Sequence, residues 1–386
     1  MKRIRLAVGA TMLVDGLLYL ALFPLLPIFA EQYDLSKVEA ALLLSGYQVA
    51  FVATAIPAGW LAGRLGARTV VVGGLICFVA ASALFAVAPT FGVLIAARML
   101  QGVAGGCGWS AAMSWLTENT AADQRSRAIG LISGISSAGA VAGPALGAFA
   151  AATTVLLAFS LIAVIGAVAM VLALLAPAGR RAPPDPPLVA TVRQLLHHPA
   201  MIMALCFAFC VSVTISTVDL LAVLELGNRG IGATMIGLAF SFGAVLGVGF
   251  GALAGRLADR FGSFGLCLAG SVGLVAICLV LAAPLPNWAL IGALIAMGPL
   301  FPLMMTGIYP LIAATSDELG LSHGTANGFV NICWSTTFGV MPLIAAQIAE
   351  WDGDDAAYLA AAATTAVLAV IAVLMRSRAR NLSLSH

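Results

Sequence analysis

Long uncharged apolar runs, separated by short clusters of charged and turn-forming residues, recur along the whole of this chain. Each run is continuous rather than alternating, and rich in Ala, Gly and Leu. A bilayer core about 30 Å thick is crossed by roughly 20 helical residues. Twelve stretches reach that length: 6–30, 38–62, 69–88, 91–117, 127–151, 153–176, 200–224, 231–255, 264–283, 288–314, 325–349 and 355–375. A transmembrane barrel would need alternating segments of about ten residues, so the pattern predicts an all-α integral membrane protein. The first run follows a basic start, as a signal peptide does, but it is too long for one and no small-residue cleavage site follows it; it reads as span 1. The polar stretch 177–198 carries five prolines, which forbid one continuous helix through it. It divides the chain into an N-terminal six-helix bundle (1–176), a cytoplasmic linker (177–198) and a C-terminal six-helix bundle with a short tail (199–386).

Composition strengthens this reading: 62% of residues are apolar and 9% charged, and the mean hydropathy is +1.07, outside the range of ordinary globular domains. The basic residues set orientation. With the N-terminus in the cytoplasm, all of the 18 except Lys37, Arg98 and Arg229 fall on the inner side, from Lys2, Arg3 and Arg5 to Arg376, Arg378 and Arg380. The outer loops hold Glu31, Asp34, Glu39, Glu350, Asp352, Asp354 and Asp355. A multi-pass protein of the cytoplasmic (inner) membrane is expected, with both termini in the cytoplasm. Topology accounts for the net charge of +2, which leaves a nucleic-acid partner without support. The seven cysteines lie within spans and suit small packing residues. The four histidines have no metal-ligand spacing, so neither a metal nor another cofactor is expected. With no phosphate-binding loop and only Lys2 and Lys37 as lysines, the chain cannot hydrolyse ATP by itself. No enzyme motif is present.

The two halves share a turn. GWLAGRLG at 59–66 returns as GRLADRFG at 255–262, with Gly59, Leu61, Ala62, Arg64 and Gly66 matching Gly255, Leu257, Ala258, Arg260 and Gly262, 196 residues apart. A rival register, GALAGRL at 251–257, lies 192 residues away. Gly130 and Pro144 have counterparts in Gly328 and Pro342, 198 apart, which favours the first. This turn between spans 2 and 3 and again between spans 8 and 9, in a twelve-span chain of two halves, is similar to the major facilitator superfamily. RMLQGVAGG from Arg98 resembles that family's span 4 motif. GAVAGPALG, Gly139 to Gly147, resembles the span 5 element of its drug:proton antiporters, and the Asp15, Pro24, Pro27 layout of span 1 resembles the vesicular amine and multidrug branch.

The resemblance implies two six-helix bundles that rock about a central cavity, and the residues suggest how. Asp15 is nine residues into span 1, roughly 14 Å deep. A charge there is costly, so it should face a cavity, a partner or a proton. Arg98, on span 4, is also too deep to be free. The resemblance implies that it tunes the coupling acid; a structural arginine bonding helix-end carbonyls is the alternative. Asp219 on span 7 is a second coupling candidate or part of an outer vestibule, and Glu225 is interfacial. Glu118, Asp317 and Glu318 end spans 4 and 10, where contacts with basic inner loops would close a gate. Tyr19, Tyr47, Gln48, Gln101, Trp109, Asn327, Asn331, Trp334 and Phe338 are cavity candidates, the last four stepping along one face of span 11. Each could equally be packing.

Gly139, Gly143 and Gly147 make a bare face on span 5 against which a neighbour can approach, and Pro144 invites a bend. Span 11 keeps Pro342 but has Met341 at the Gly143 equivalent. In GWLAGRLGAR the arginines Arg64 and Arg68 hold topology, and Gly59, Gly63 and Gly66 are expected to permit a tight reversal between close helices. The resemblance implies an inner latch built on an Asp in this turn; Gly63 occupies that place in the first copy, while Asp259 keeps it in the second. The function expected is proton-coupled export of a small amphipathic compound, a drug or metabolite, by alternating access. Protons and membrane lipid are the other partners, and the chain is expected to work as a monomer. The rivals are proton symport of a sugar, nucleoside or organic acid, and a non-transporting membrane sensor or scaffold.

Overall fold

A computed structural model describes residues 2–121, 124–179, 188–321 and 323–383, without the side chains of 125–127, 188–190, 252, 323, 324, 327 and 378–383. The described residues form helices and short connections, and twelve helices are long and apolar enough to cross a membrane. They are α1 (Lys2–Gln32), α2 (Lys37–Leu65), α3 (Ala67–Ala86), α4 (Phe91–Glu118), α5 (Arg125–Ala152), α6 (Val155–Leu175), α7 (Pro199–Asn228), α8 (233–261), α9 (263–281), α10 (Asn287–Leu319), α11 (His323–Asp352) and α12 (Asp354–Ser383). Each overlies one of the expected spans.

The boundaries follow from local chemistry. Ser36 caps α2 by accepting from the Glu39 amide at 3.1 Å, while Glu39 accepts from the Ser36 amide at 2.9 Å, satisfying two otherwise orphaned donors. Thr90 and Thr154 cap α4 and α6 with their side-chain oxygens. In α1 the prolines at 24 and 27 tighten the helix into a 3₁₀ turn over Phe23–Leu25 before it resumes. The linker is not wholly irregular: an amphipathic helix, Leu188–His197, forms after the last of its clustered prolines.

The repeated turn is repeated in its backbone. Gly66, between α2 and α3, has φ 93° and ψ 138°; Gly262, between α8 and α9, has φ 75° and ψ 154°. Only glycine enters this region without strain, and the coincidence supports the 196-residue register. The other glycines of the turn behave differently from expectation. A Cβ at Gly59 or Gly63 would meet nothing within 4 Å, so the reversal depends on the dihedral at Gly66 and not on close approach at its neighbours.

The helices gather into two compact units, Met1–Pro184 with Val223–Ser241, and Asp185–Ala222 with Phe242–His386. In the first, α2 packs on α4, α1 on α5, and α3 on both α4 and α6. Glycines set these distances: Cβ atoms at Gly139 and Gly147 would land on the carbonyls of Leu13 and Ala21, and one at Gly143 would lie 2.8 Å from the Leu17 oxygen. The bare face expected on α5 is therefore filled by the α1 backbone. In the second unit, a Cβ on Gly247 would lie 2.6 Å from the Gly298 oxygen, which makes α8 and α10 cross at backbone contact. Outward-facing Leu157, Leu161, Val164, Val168 and Leu175 on α6 are exposed, as lipid-facing residues are.

Candidate functional site

The glycine-rich stretch of α4 brings three helices together around Asp15. Cβ atoms on Gly102 and Gly106 would collide with the backbone of α2, at Tyr47 and Phe51, so α2 lies close enough to aim the Tyr47 side chain across α4. The Tyr47 hydroxyl donates to Asp15 Oδ1 at 2.7 Å, and Trp109 Nε1 donates to Oδ2 at 2.9 Å. Both carboxylate oxygens thus accept a hydrogen bond. A Cβ on Gly105 would overlap the Tyr47 hydroxyl and come within 2.8 Å of Asp15 Oδ1; this position must be empty for the pair to form.

Arg98 reaches this group through an aromatic ring. Its Nε donates to the Leu43 carbonyl at 3.0 Å and its Nη1 to Gln101 Oε1 at 2.8 Å. The guanidinium lies 5.2 Å from the Tyr47 ring centroid and 5.9 Å from that of Tyr19, a cation–π arrangement that desolvation strengthens. The two rings themselves are 4.9 Å apart. No direct Arg98–Asp15 ion pair occurs: Tyr47 stands between them, bonded to one and beneath the other. Arg98 and Gln101 are fully enclosed, and among the described residues Arg98 Nη2 and Gln101 Nε2 have no hydrogen-bond partner. Asp15, Tyr19 and Trp109 each keep a partly exposed edge. A charged, hydrogen-bonded cluster thus borders accessible space, with two spare donors behind it.

Six of the residues expected to serve coupling or substrate meet here: Asp15, Tyr19, Tyr47, Arg98, Gln101 and Trp109. Gln48, the next residue after Tyr47, is buried and makes no hydrogen bond to them among the described residues. Sequence reasoning missed Gly105 and the Leu43 carbonyl. The first was legible as a glycine one turn beyond Gln101; a backbone acceptor has no sequence signal.

Asp219 does not join a comparable group. It is 6% exposed, its Oδ1 is wholly enclosed, and among the described residues it has no hydrogen bond or ion pair. Its polar neighbours in sequence are occupied: Ser216 and Thr217 bond back to the Ser212 and Val213 carbonyls, and Thr214 meets Thr365 at 3.1 Å. Glu225 pairs with Arg229 at 2.7 Å.

On α11, Trp334 stacks on Phe338 at 5.1 Å and meets Phe301 of α10 edge-on at 5.7 Å. Asn331 is exposed, and the Asn327 side chain lies outside the described residues. At the turns, Arg64 covers the Trp60 ring at 4.1 Å and Arg260 the Phe261 ring at 5.3 Å. Arg68 Nη2 donates to the Leu174 carbonyl at the end of α6. Asp259 is exposed and makes no ion pair among the described residues, because Arg260 turns to Phe261 instead. Glu318 meets His198, at the end of the linker helix, at 2.8 Å.

Among the described residues twelve helices have the length and apolar character to cross a membrane, an all-helical membrane-protein fold that solved transporter structures share. The chain aligns over 96% of its length with 96% of a bacterial homologue of the human lysosomal transporter Spinster in an inward-facing, unoccupied conformation, at TM-score 0.77 and 14% identity. The occupied conformation aligns at TM-score 0.78. The chain belongs to the major facilitator superfamily, whose family model matches residues 8–322. Curated relatives match over shorter stretches. The MFS-type transporter ppzB of Metarhizium rileyi is 32% identical over 36% of this chain and 30% of its own length. The quinolone resistance protein NorA of Staphylococcus aureus is 24% identical over 39% of each. The match thus spans about a third of the length of these relatives.

Proposed function

We propose that this transporter exports a small amphipathic organic compound, a drug or metabolite, in exchange for protons, with Asp15 as the main proton carrier. The observation that carries the reading is the pair of hydrogen bonds on Asp15. An indole N–H can only donate, so Oδ2, facing Trp109, must remain an acceptor. A phenol both donates and accepts, so Oδ1, facing Tyr47, is where a proton can be taken up: the new O–H donates to the Tyr47 oxygen, and the Tyr47 hydrogen turns to another acceptor. Proton arrival at Asp15 thereby reverses one hydrogen bond and releases a donor beside Arg98 and Gln101. A carboxylate so placed can exchange a substrate's polar group for a proton without leaving either charge bare in the membrane.

Alternating access would follow from rocking of bundles 1–176 and 199–386 about a midplane site, with the flat, proline-bearing α5 packed tightly on α1 inside the first bundle. The placement of basic residues supports a bacterial-type cytoplasmic membrane with both termini inside, and a single chain suffices. Trp334 and Phe338, with Phe301 of α10, offer an aromatic platform for a flat or apolar body. NorA, named for quinolone resistance, is a relative whose name fits export.

The test is transport in proteoliposomes, using compounds first found by thermal shift of the purified protein. An imposed proton gradient should drive accumulation of the hit, and a protonophore should abolish it. Transport indifferent to the protonophore would end the proton-coupled reading.

A further inference from the structure

At one end of the first unit a cavity of about 620 Å³ is lined by Lys2, Arg3 and Arg68 together with Leu174, Leu175, Ala176 and Pro177. That volume lies within the range of small-ligand sites. Among the described residues three cations and no carboxylate line it. Lys2 and Arg3 make no ion pair or hydrogen bond among the described residues, and Arg68 commits one N–H group to the Leu174 carbonyl, which leaves the rest of its guanidinium fork available. The first turn of α3 begins at Ala67 behind a Gly66 that supplies no side-chain cap, so backbone amides add to the positive field there. The preference of basic residues for the inner side explains their sign; it does not explain why they converge on a cavity.

The position and the other wall indicate what fits. α1 starts at Lys2, α3 starts at Ala67 and α6 ends at Leu175, so the cavity lies where three spans leave the hydrocarbon, at the depth of lipid headgroups. Leu174 and Leu175, on its rim, are 46% and 64% exposed and continue the lipid-facing surface of α6. A phosphoryl anion satisfies Lys2, Arg3 and Arg68, and an acyl chain attached to that anion covers the leucines. We infer that this cavity is a binding site for the phosphodiester headgroup of an anionic phospholipid, distinct from the Asp15 cluster and independent of what the protein transports. Soluble phosphates share the headgroup chemistry but would leave the leucines uncovered. A bound lipid would tie α1, α3 and α6 together at this end of the unit.

The experiment is native mass spectrometry, with thermal shift in parallel, of the full-length protein in detergent. The probes are phosphatidylglycerol, phosphatidylcholine with the same acyl chains, and glycerol phosphate. Phosphatidylglycerol should bind and raise the melting temperature, with the other two having little effect at matched concentration. Arg68→Gln should lower phosphatidylglycerol affinity about fivefold, the order expected for one cation at a charged lipid surface, and Arg376→Gln should not. Arg68→Gln keeps Lys2 and Arg3 and so leaves the orienting charges of α1 in place; its insertion is checked by monodisperse elution. Equal binding of phosphatidylcholine, unchanged affinity in Arg68→Gln, or an equal effect of glycerol phosphate would each overturn the lipid site, without bearing on transport.

Discussion

The two units each enclose an acid within the membrane, and the two acids are treated in opposite ways. Asp15 is held at both oxygens by Tyr47 and Trp109, sits under the influence of Arg98 and keeps an exposed edge. Asp219 is more deeply enclosed and has no partner among the described residues. A carboxyl that must gain and lose a proton needs a route to water and groups that hold its charged form. One that lacks both is a poor relay, and it persists at a cost of about 1–3 kcal/mol for the unmade hydrogen bonds. The repeat that makes the halves alike in backbone, down to the dihedrals of Gly66 and Gly262, does not extend to their chemistry. The proposal that Asp15 carries the proton rests on this difference.

The largest effect should come from the acids themselves. Asp15→Asn should reduce proton-driven transport by about 100-fold or more, the scale lost with a positioned proton-transfer group, while expression and elution profile stay normal. Asp219→Asn should change the rate less than about threefold on the same reasoning. If the two outcomes are exchanged in the proteoliposome assay, coupling belongs to α7 and the contrast drawn above is inverted.

Next in size is Gly105→Ala. The added methyl must displace the Tyr47 hydroxyl from Asp15, an overpacking of about 1–3 kcal/mol. Transport should fall about tenfold and the melting temperature should drop. Gly63→Ala, where the methyl meets open space, should leave both unchanged. Equal behaviour of the two alanine variants would mean that the Asp15 cluster does not depend on the vacancy at Gly105.

Much of this was legible from the chain, for a physical reason. A charge within a bilayer is expensive, so Asp15 and Arg98 announced themselves, and polar or aromatic residues at matching depth on spans 1, 2 and 4 had to surround them. Arg98 was expected to tune the coupling acid or to bond helix-end carbonyls. In the structure it donates to the Leu43 carbonyl, inside α2 rather than at a helix end, and lies over the Tyr47 ring whose hydroxyl bonds Asp15. That choice depends on helix rotation and rotamer, which spacing along one helix does not encode. The same limit explains the turn: glycine content suggested close packing at 59, 63 and 66, but only the backbone reveals that Gly66 alone is needed, and for its dihedral. Of the stripe expected on α11, Trp334 and Phe338 stack on each other. Phe301 completes it from α10, and a partner on another helix has no periodicity to betray it.

A smaller effect should separate the acids by the sign of a stability change. Asp219→Leu replaces an unsatisfied buried carboxyl by an apolar group of similar size and should raise stability by about 1–2 kcal/mol. Asp15→Leu should lower it by a like amount, since it orphans the Tyr47 hydroxyl and the Trp109 N–H. Detergent thermal melts of the two variants measure this directly. Destabilisation by Asp219→Leu would mean that Asp219 has a partner in the working protein, and would return it to the list of coupling groups.

The smallest effect concerns the acid that only the second copy of the turn retains. Asp259 is exposed and unpaired among the described residues, and Gly63 stands at the matching place with room for a side chain. Gly63→Asp therefore introduces a carboxylate without steric penalty. Its benefit is that of a surface pair, about 0.2–1 kcal/mol, enough to move a near-balanced two-state equilibrium by a factor of up to about five. Spin labels on the ends of the two bundles that carry the repeated turns should show a shift toward the closed distances at that end, larger at low salt, where such pairs are less screened. An unaltered distance distribution would show that the first copy of the turn works as a hinge set by Gly66 and not as a latch, leaving the two halves different in this element as well.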